Sequence, residues 1–251
     1  MSSRRRYRKP PVVEALCEIY FSGSAWDDTV IGRFYDRVKK DFPARRQLEI
    51  HEAEVRLGPV GEAAAGVRRL APRIQFLTDA GDRLIQLGRD LLVVNQLRPY
   101  PRFEDWEPLF YSALEVYRDL ARPEGVGRLG MRYINRVVIP QPAIRMADYF
   151  TIYPSLPASI GDKHGPFLVR VEVPAQKGAH TLLVTFGTAP AERPGEAAHL
   201  LDLYDSVERF EPLDFARVRE EVRNAHDNIE AAFEGSITDR LRALFEPEDG
   251  S

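Results

Sequence analysis

The stretch Val12-Val13-Glu14-Ala15-Leu16-Cys17-Glu18-Ile19-Tyr20-Phe21, entered through Pro10-Pro11, most narrows what this chain can fold into. Val13, Ala15, Cys17, Ile19 and Phe21 form an unbroken apolar face at the two-residue period of a strand, while Glu14 and Glu18 share the other face with Val12, Leu16 and Tyr20. A strand apolar on both faces belongs inside a sheet with material over each face. Its two carboxylates need partners, because a charge in partly dry surroundings is costly.

A second long strand, Arg128 to Ile139, offers them. Leu129, Met131, Tyr133, Asn135, Val137 and Ile139 take one face; Gly130, Arg132, Ile134, Arg136 and Val138 take the other. Arg132 and Arg136 repeat the four-residue spacing of Glu14 and Glu18, which is ~13 Å along a strand. If the two strands are neighbours, this spacing predicts a ladder of two cross-strand Glu-Arg pairs. The ladder has two readings, a device that fixes strand register or a pocket for a polar ligand. The glutamates alone are too far apart for a carboxylate pair of the glycosidase kind, whose separation is about 5 to 9.5 Å.

In chain order, Trp26, Val30, Phe34, Val38 and Phe42 recur at helical spacing up to Pro43 and predict a first helix. Leu48 to Leu57 reads as a strand, with a hairpin tip over the small residues from Gly61 to Gly66. Arg73-Leu77 and Arg83-Leu87 flank a turn-rich Asp79-Ala80-Gly81-Asp82 and predict a hairpin, followed by a strand at Leu91-Asn95. Trp106 to Leu120 is a second helix. After the Arg128 strand comes a proline-interrupted segment, 140–165. Phe167-Val173 and Thr181-Phe186 then make a hairpin, Leu200-Phe210 is strand or helix, and Phe215 to Phe233 is a long helix.

The expected fold is therefore α+β. A basic flexible arm over 1–9 precedes two diverged β-α-β(3-4)-α halves, 10–122 and 123–251, which form a mainly antiparallel sheet with helices on one face. By analogy of element order alone this is the arrangement of the saddle-shaped TATA-binding proteins. The analogy carries no DNA binding with it.

The 35 basic and 38 acidic residues of the 251 leave a net charge of -3, which gives no overall field for nucleic acid or an anionic membrane. Only the arm, Arg4, Arg5, Arg6, Arg8 and Lys9, suggests nucleic acid. No stretch approaches the ~20 apolar residues needed to span a bilayer, and no secretory pattern follows the arm. With one cysteine, Cys17, the expected setting is cytoplasmic and reduced.

The five histidines have no metal-ligand spacing, and no phosphate loop, dinucleotide turn or nucleophile elbow occurs. No cofactor, metal or catalytic residue is expected. Asp202 and Asp205 fall on opposite faces of their strand, and His226 reads as a surface residue. The 149–165 loop, with Tyr149, Phe150 and Tyr153, is a candidate cover over the sheet.

The opening Pro-Pro-Val-Val-Glu-Ala, the central Met131-Arg132-Tyr133-Ile134-Asn135-Arg136, and Ala225-His226-Asp227, Phe233-Glu234 and Ser236-Ile237-Thr238-Asp239 together resemble a sporadically distributed, functionally uncharacterised bacterial family of about this length. The resemblance implies a bacterial cytosolic setting and no catalytic residues. The patchy spread of that family points to an accessory role, such as defence or partnership with a toxin.

Two functions follow as expectations. One is a non-enzymatic protein that binds a protein partner or itself through the open sheet face or the C-terminal helices. The other is a small polar ligand-binding protein or enzyme with its site around Glu14, Glu18, Arg132 and Arg136. In the terminal segment, Ser236 is expected to cap a short helix whose Leu241, Leu244 and Phe245 form either a docking surface or a packed lid.

Overall fold

The computed structural model describes residues 5–48, 51–57, 63–69, 73–157, 159 and 165–248, with 51–57 and 63–69 as backbone alone. β1 (Val12–Ser22) lies in the middle of a nine-stranded antiparallel sheet, but against expectation helices cover only one of its faces, and Glu14, Leu16, Glu18 and Tyr20 on the other are partly exposed. α1 (Thr29–Val38) and β2 (Ala44–Leu48) follow, then a separate two-stranded ribbon of β3 (His51–Leu57) and β4 (Ala63–Arg69). β5 (Arg73–Leu77), β6 (Arg83–Gly88), β7 (Leu91–Leu97) and α2 (Phe103–Ala121) complete the first half. The second half runs β8 (Gly125–Ile139), one 3-10 turn at Met146–Asp148, β9 (Leu168–Pro174), β10 (His180–Ala189), β11 (Ala197–Phe210), α3 (Phe215–Ser236) and α4 (Asp239–Leu244).

The sheet order is β2-β5-β6-β7-β1-β8-β11-β10-β9. Counted outward from the central β1/β8 pair, each half sets its last strand beside its first. Ala15, Cys17 and Ile19 of β1 and Leu129 and Met131 of β8 are fully buried on the face that carries the helices. α2 lies over β7, and α3 over β8, β10 and β11. α1 rests on α2, and its Phe34 stacks on Phe76 of β5 at 5.7 Å. One continuous apolar core joins both halves. Its largest members include Trp106, Tyr117, Phe34, Phe110 and Phe186.

The structure corrects several expected boundaries. α1 is shorter than its apolar period, because Asp27 accepts the backbone N–H of Thr29 at 2.7 Å and sets a turn before the helix. Trp26 and Phe42 continue the spacing since the flanking loops also feed the core: Trp26 stacks on Tyr117 at 6.1 Å, and Phe42 is buried. The strand expected from Leu48 to Leu57 is two strands in two different sheets. Of the expected hairpin tip, Ala63 to Gly66 belong to β4, and Gly61 and Glu62 lie outside the described residues. Residues 197–210 are a strand, held between β8 and β10.

At the C-terminus the capping residue is Thr238, whose hydroxyl accepts from Leu241 N–H, while Ser236 ends α3. Leu241 and Phe245 are buried, so they pack this segment down as a lid, while Leu244 remains exposed. Residues 5–9 are pinned against it instead of hanging free. Arg8 and Lys9 donate their N–H groups to the carbonyls of Glu246 and Phe245, both at 3.0 Å. Tyr7 sets its ring edge-on to Phe233 and Phe245 and donates its hydroxyl to Glu234 at 2.6 Å. Two basic charges of this segment find local acids: Arg5 lies 3.6 Å from Glu234, and Lys9 2.5 Å from Glu246.

Candidate functional site

The face of the sheet opposite the helices carries Glu14, Leu16, Glu18 and Tyr20 from β1 and Arg128, Gly130, Arg132, Ile134 and Arg136 from β8. In the observed antiparallel register Arg132 stands opposite Leu16, Glu14 opposite Ile134, and Glu18 opposite Gly130. Arg132 is thus diagonal to both glutamates, and the ion pairs differ from the expected ladder. Asp202 of β11 takes Arg132 in a two-pronged contact, 2.8 Å to Nε and 2.5 Å to Nη2. Arg136 lies farther out, 3.1 Å from Glu192 and 2.5 Å from the Pro190 carbonyl. Glu14 accepts from Asn95 of β7 at 2.6 Å, and Asn95 in turn accepts from Gln86 at 3.0 Å.

Glu18 is held by two groups from the second half. The Tyr204 hydroxyl donates to it at 2.9 Å, and Arg128 Nη2 lies 3.5 Å away. Tyr204 reaches across β8 because Gly130 has no side chain. A Cβ built there would stand 2.4 Å from the Tyr204 oxygen. Arg128 lays its guanidinium over the Tyr20 ring at 4.4 Å.

These groups surround a depression of about 430 Å³ whose far side is formed by Leu183, Thr185 and Arg170. Burial and the nearby Glu18 raise the Tyr204 pKa, so the phenol remains a donor at neutral pH. The contact with Asp202 raises that of Arg132, and Glu14 and Glu18 add to its field. Formally the depression holds three guanidinium groups against the two carboxylates of Glu18 and Asp202. Arg128 Nε is buried with no hydrogen-bond acceptor among the described residues.

A smaller cavity of about 170 Å³ lies on the helix side, between residues 5–12, the start of α2, and α3. His226 is buried there, stacked on Phe103 at 4.0 Å and 3.3 Å from the Tyr133 hydroxyl, which lies 3.0 Å from that of Tyr100. The expected surface histidine is therefore a core residue. Burial pushes the Tyr100 pKa up to about 12 and raises that of Tyr133 well above its ordinary value. These phenols stay neutral and pair with each other.

A third cluster has a fully buried centre, His180 and Asp205, with Glu221 at its partly exposed edge. His180 of β10 meets Asp205 of β11 through Nδ1, and Glu221 of α3 through Nε2 at 2.9 Å. Asn228 donates to Asp205 at 3.0 Å. Asp202 and Asp205 lie on opposite faces, as alternation predicts, and each has its own basic partner, Arg132 and His180. Cys17 is buried on the helix face, where burial pushes its thiol pKa well up, and a thiol so held is a poor nucleophile. The 149–165 segment sends Phe150 against Phe186 and His199 on the helix side, away from the depression. Residues 158 and 160–164 lie outside the described residues.

Arg128, Asp202, Tyr204 and Arg170 were not among the expected site residues. Arg128 carried a signal, since it precedes Arg132 by the same four residues that separate Arg132 from Arg136. Asp202 and Tyr204 depend on β11 neighbouring β8, and Arg170 on the order of β10 and β9 beyond it, none of which spacing within one strand encodes. No family model matches the chain, and no curated protein matches it. Among the described residues no group of three His, Cys, Asp or Glu side chains stands where it could hold a metal ion.

Proposed function

We propose that the chain is a non-enzymatic binding protein whose helix-free sheet face takes the anionic group of a small polar ligand. The observation that carries this reading is the donor excess of the depression. Three arginines face two carboxylates, and a buried Arg128 N–H has no acceptor among the described residues. Arg128 Nε is itself closed off from solvent, so bonds to an anion fall to the outer guanidinium nitrogens, each charge-assisted bond worth about 1.5 to 3 kcal/mol. The Tyr204 hydroxyl, spent on Glu18, helps to fix the carboxylate that keeps Arg128 in place.

The two halves fit a diverged duplication of the TATA-binding-protein-like kind, in which both first strands meet at the centre. What supports this is the matching sequence of strands outward from β1 and from β8. In that scheme the site straddles the seam between the halves. A reduced cytosolic setting is in keeping with a single buried thiol.

The test is calorimetric titration with inorganic phosphate, pyrophosphate and short dicarboxylates. The expected result is saturable binding of at least one, with Arg128→Gln and Arg132→Gln each weakening it about 10- to 100-fold, the loss of one charge-assisted hydrogen bond of about 1.5 to 3 kcal/mol. Binding that survives both substitutions unchanged, or no binding by any of these anions, overturns the reading.

A further inference from the structure

Among the described residues β9 is one of the two edges of the sheet and pairs with β10 alone. An edge strand presents unpaired N–H and C=O groups and serves as a template for another strand unless it is blunted. β9 is not covered. Leu168 is 72% exposed, Val171 43% and Val173 37%, and Arg170 and Glu172 are also exposed. We infer that β9 is a self-association edge, and that a second copy of this chain pairs with it antiparallel about a two-fold axis at Val171, joining the two sheets into one.

The backbone directions fit. Ala175 donates its N–H to His180, and the Phe167 carbonyl accepts from Thr188. Together with the unbroken register between the two strands, this turns the peptide groups of odd-numbered β9 residues toward β10. Those of Leu168, Arg170 and Glu172 therefore point outward. Pro174 occupies the next outward position, where its missing N–H removes no bond to β10.

The side chains select the register. A two-fold axis perpendicular to a sheet returns each face to itself, so only residues of the same parity stand opposite one another. Centring the axis on Arg170 sets that arginine against its own copy, and centring it on Glu172 does the same to the glutamate; like charges directly opposite are destabilising. Centring it on Val171 sets Arg170 opposite Glu172 of the partner subunit, twice over. Val169, Val171 and Val173 then meet the same three valines on the other face, and Leu168 meets Pro174 of the partner subunit. The segment Val169-Arg170-Val171-Glu172-Val173 is thus complementary to its own reverse in both charge and shape. The opposite edge lacks this property, because self-pairing about Arg46, the middle residue of β2, brings two arginines together.

The proposal goes beyond the anion site but touches it, since Arg170 belongs both to β9 and to the rim of the depression. Glu172 does not line the depression, so its substitution separates the two ideas. Sedimentation velocity of the full chain over a dilution series is expected to show a reversible monomer–dimer equilibrium. Glu172→Arg and Arg170→Glu are each expected to weaken the dimer at least about 10-fold, while the double exchange restores it to within about 3-fold of the original. Arg170→Pro deletes outward donors without touching the bonds to β10 and is expected to leave a folded monomer, checked by circular dichroism. A chain that stays monomeric at every concentration overturns the proposal. So does a dimer indifferent to the single charge reversals, or another protein captured on β9 in place of a second copy.

Discussion

His180 is held by an acid on each ring nitrogen, Asp205 from the neighbouring strand and Glu221 from α3, with Arg217 3.6 Å from the latter. Burial opposes its charge, but the hydrogen bonds to Asp205 and Glu221 outweigh burial and raise its pKa. The unfolded value is about 6.5. A folded value above this means that the native state binds the proton more tightly. The stabilisation is complete below about pH 6.5 and is lost as pH rises through the folded value. His180→Gln is expected to cost about 1 to 3 kcal/mol at pH 6 and to flatten the decline of stability at alkaline pH, both read from urea unfolding at a series of pH values. His180→Ala, which leaves Asp205 buried without its cation, is expected to cost more, about 3 to 5 kcal/mol. An alkaline decline as steep in His180→Gln as in the wild type would show that this histidine does not carry it.

At the scale of elements, the segment 5–9 and the C-terminal segment 245–248 form a clasp closed by backbone hydrogen bonds and by the ring of Tyr7. Tyr7 is only partly buried, so Tyr7→Ala is expected to cost about 1 to 3 kcal/mol, less than truncation of a fully buried aromatic ring. Deleting residues 1–9 is expected to cost at least as much, measured as the shift in guanidinium midpoint. A truly free arm would cost nothing. The clasp also marks where the sequence could be read and where it could not. The periodicity of β1, β8, α2 and α3 was legible because each buries one or two regular faces. The fate of the arm was not, since its partners lie more than 200 residues away and a run of basic residues looks alike whether solvated or docked on acids. For the same reason the spacing of Glu14, Glu18, Arg132 and Arg136 showed which face they share, while the choice of Asp202 for Arg132 depended on β11 becoming the neighbour of β8.

For the whole molecule, the central pair β1 and β8 comes one strand from each half, and the core runs through both without a break. Neither half can keep its first strand covered alone. Unfolding in denaturant is therefore expected to be a single transition, with far-ultraviolet circular dichroism and the fluorescence of Trp26 and Trp106 coinciding at one midpoint. Two separated midpoints would mean that the halves are independent domains. The long strands β1 and β8 and the helices α1, α2 and α3 were readable from sequence, but the split of 44–69 into β2 and a separate β3/β4 ribbon was not, because an apolar alternation does not say which sheet a strand will join.

The absent side chain at Gly130 has one more consequence. Through that opening a phenol from the second half crosses the midline to the acid of the first, and Arg128 reaches the same acid from β8 itself. Glu18 thereby works as a key cut for one lock. Sliding β8 and β11 together along β1 by a single pairing step would strip the acid of both its donors, so the relative setting of the halves is recorded at one carboxylate.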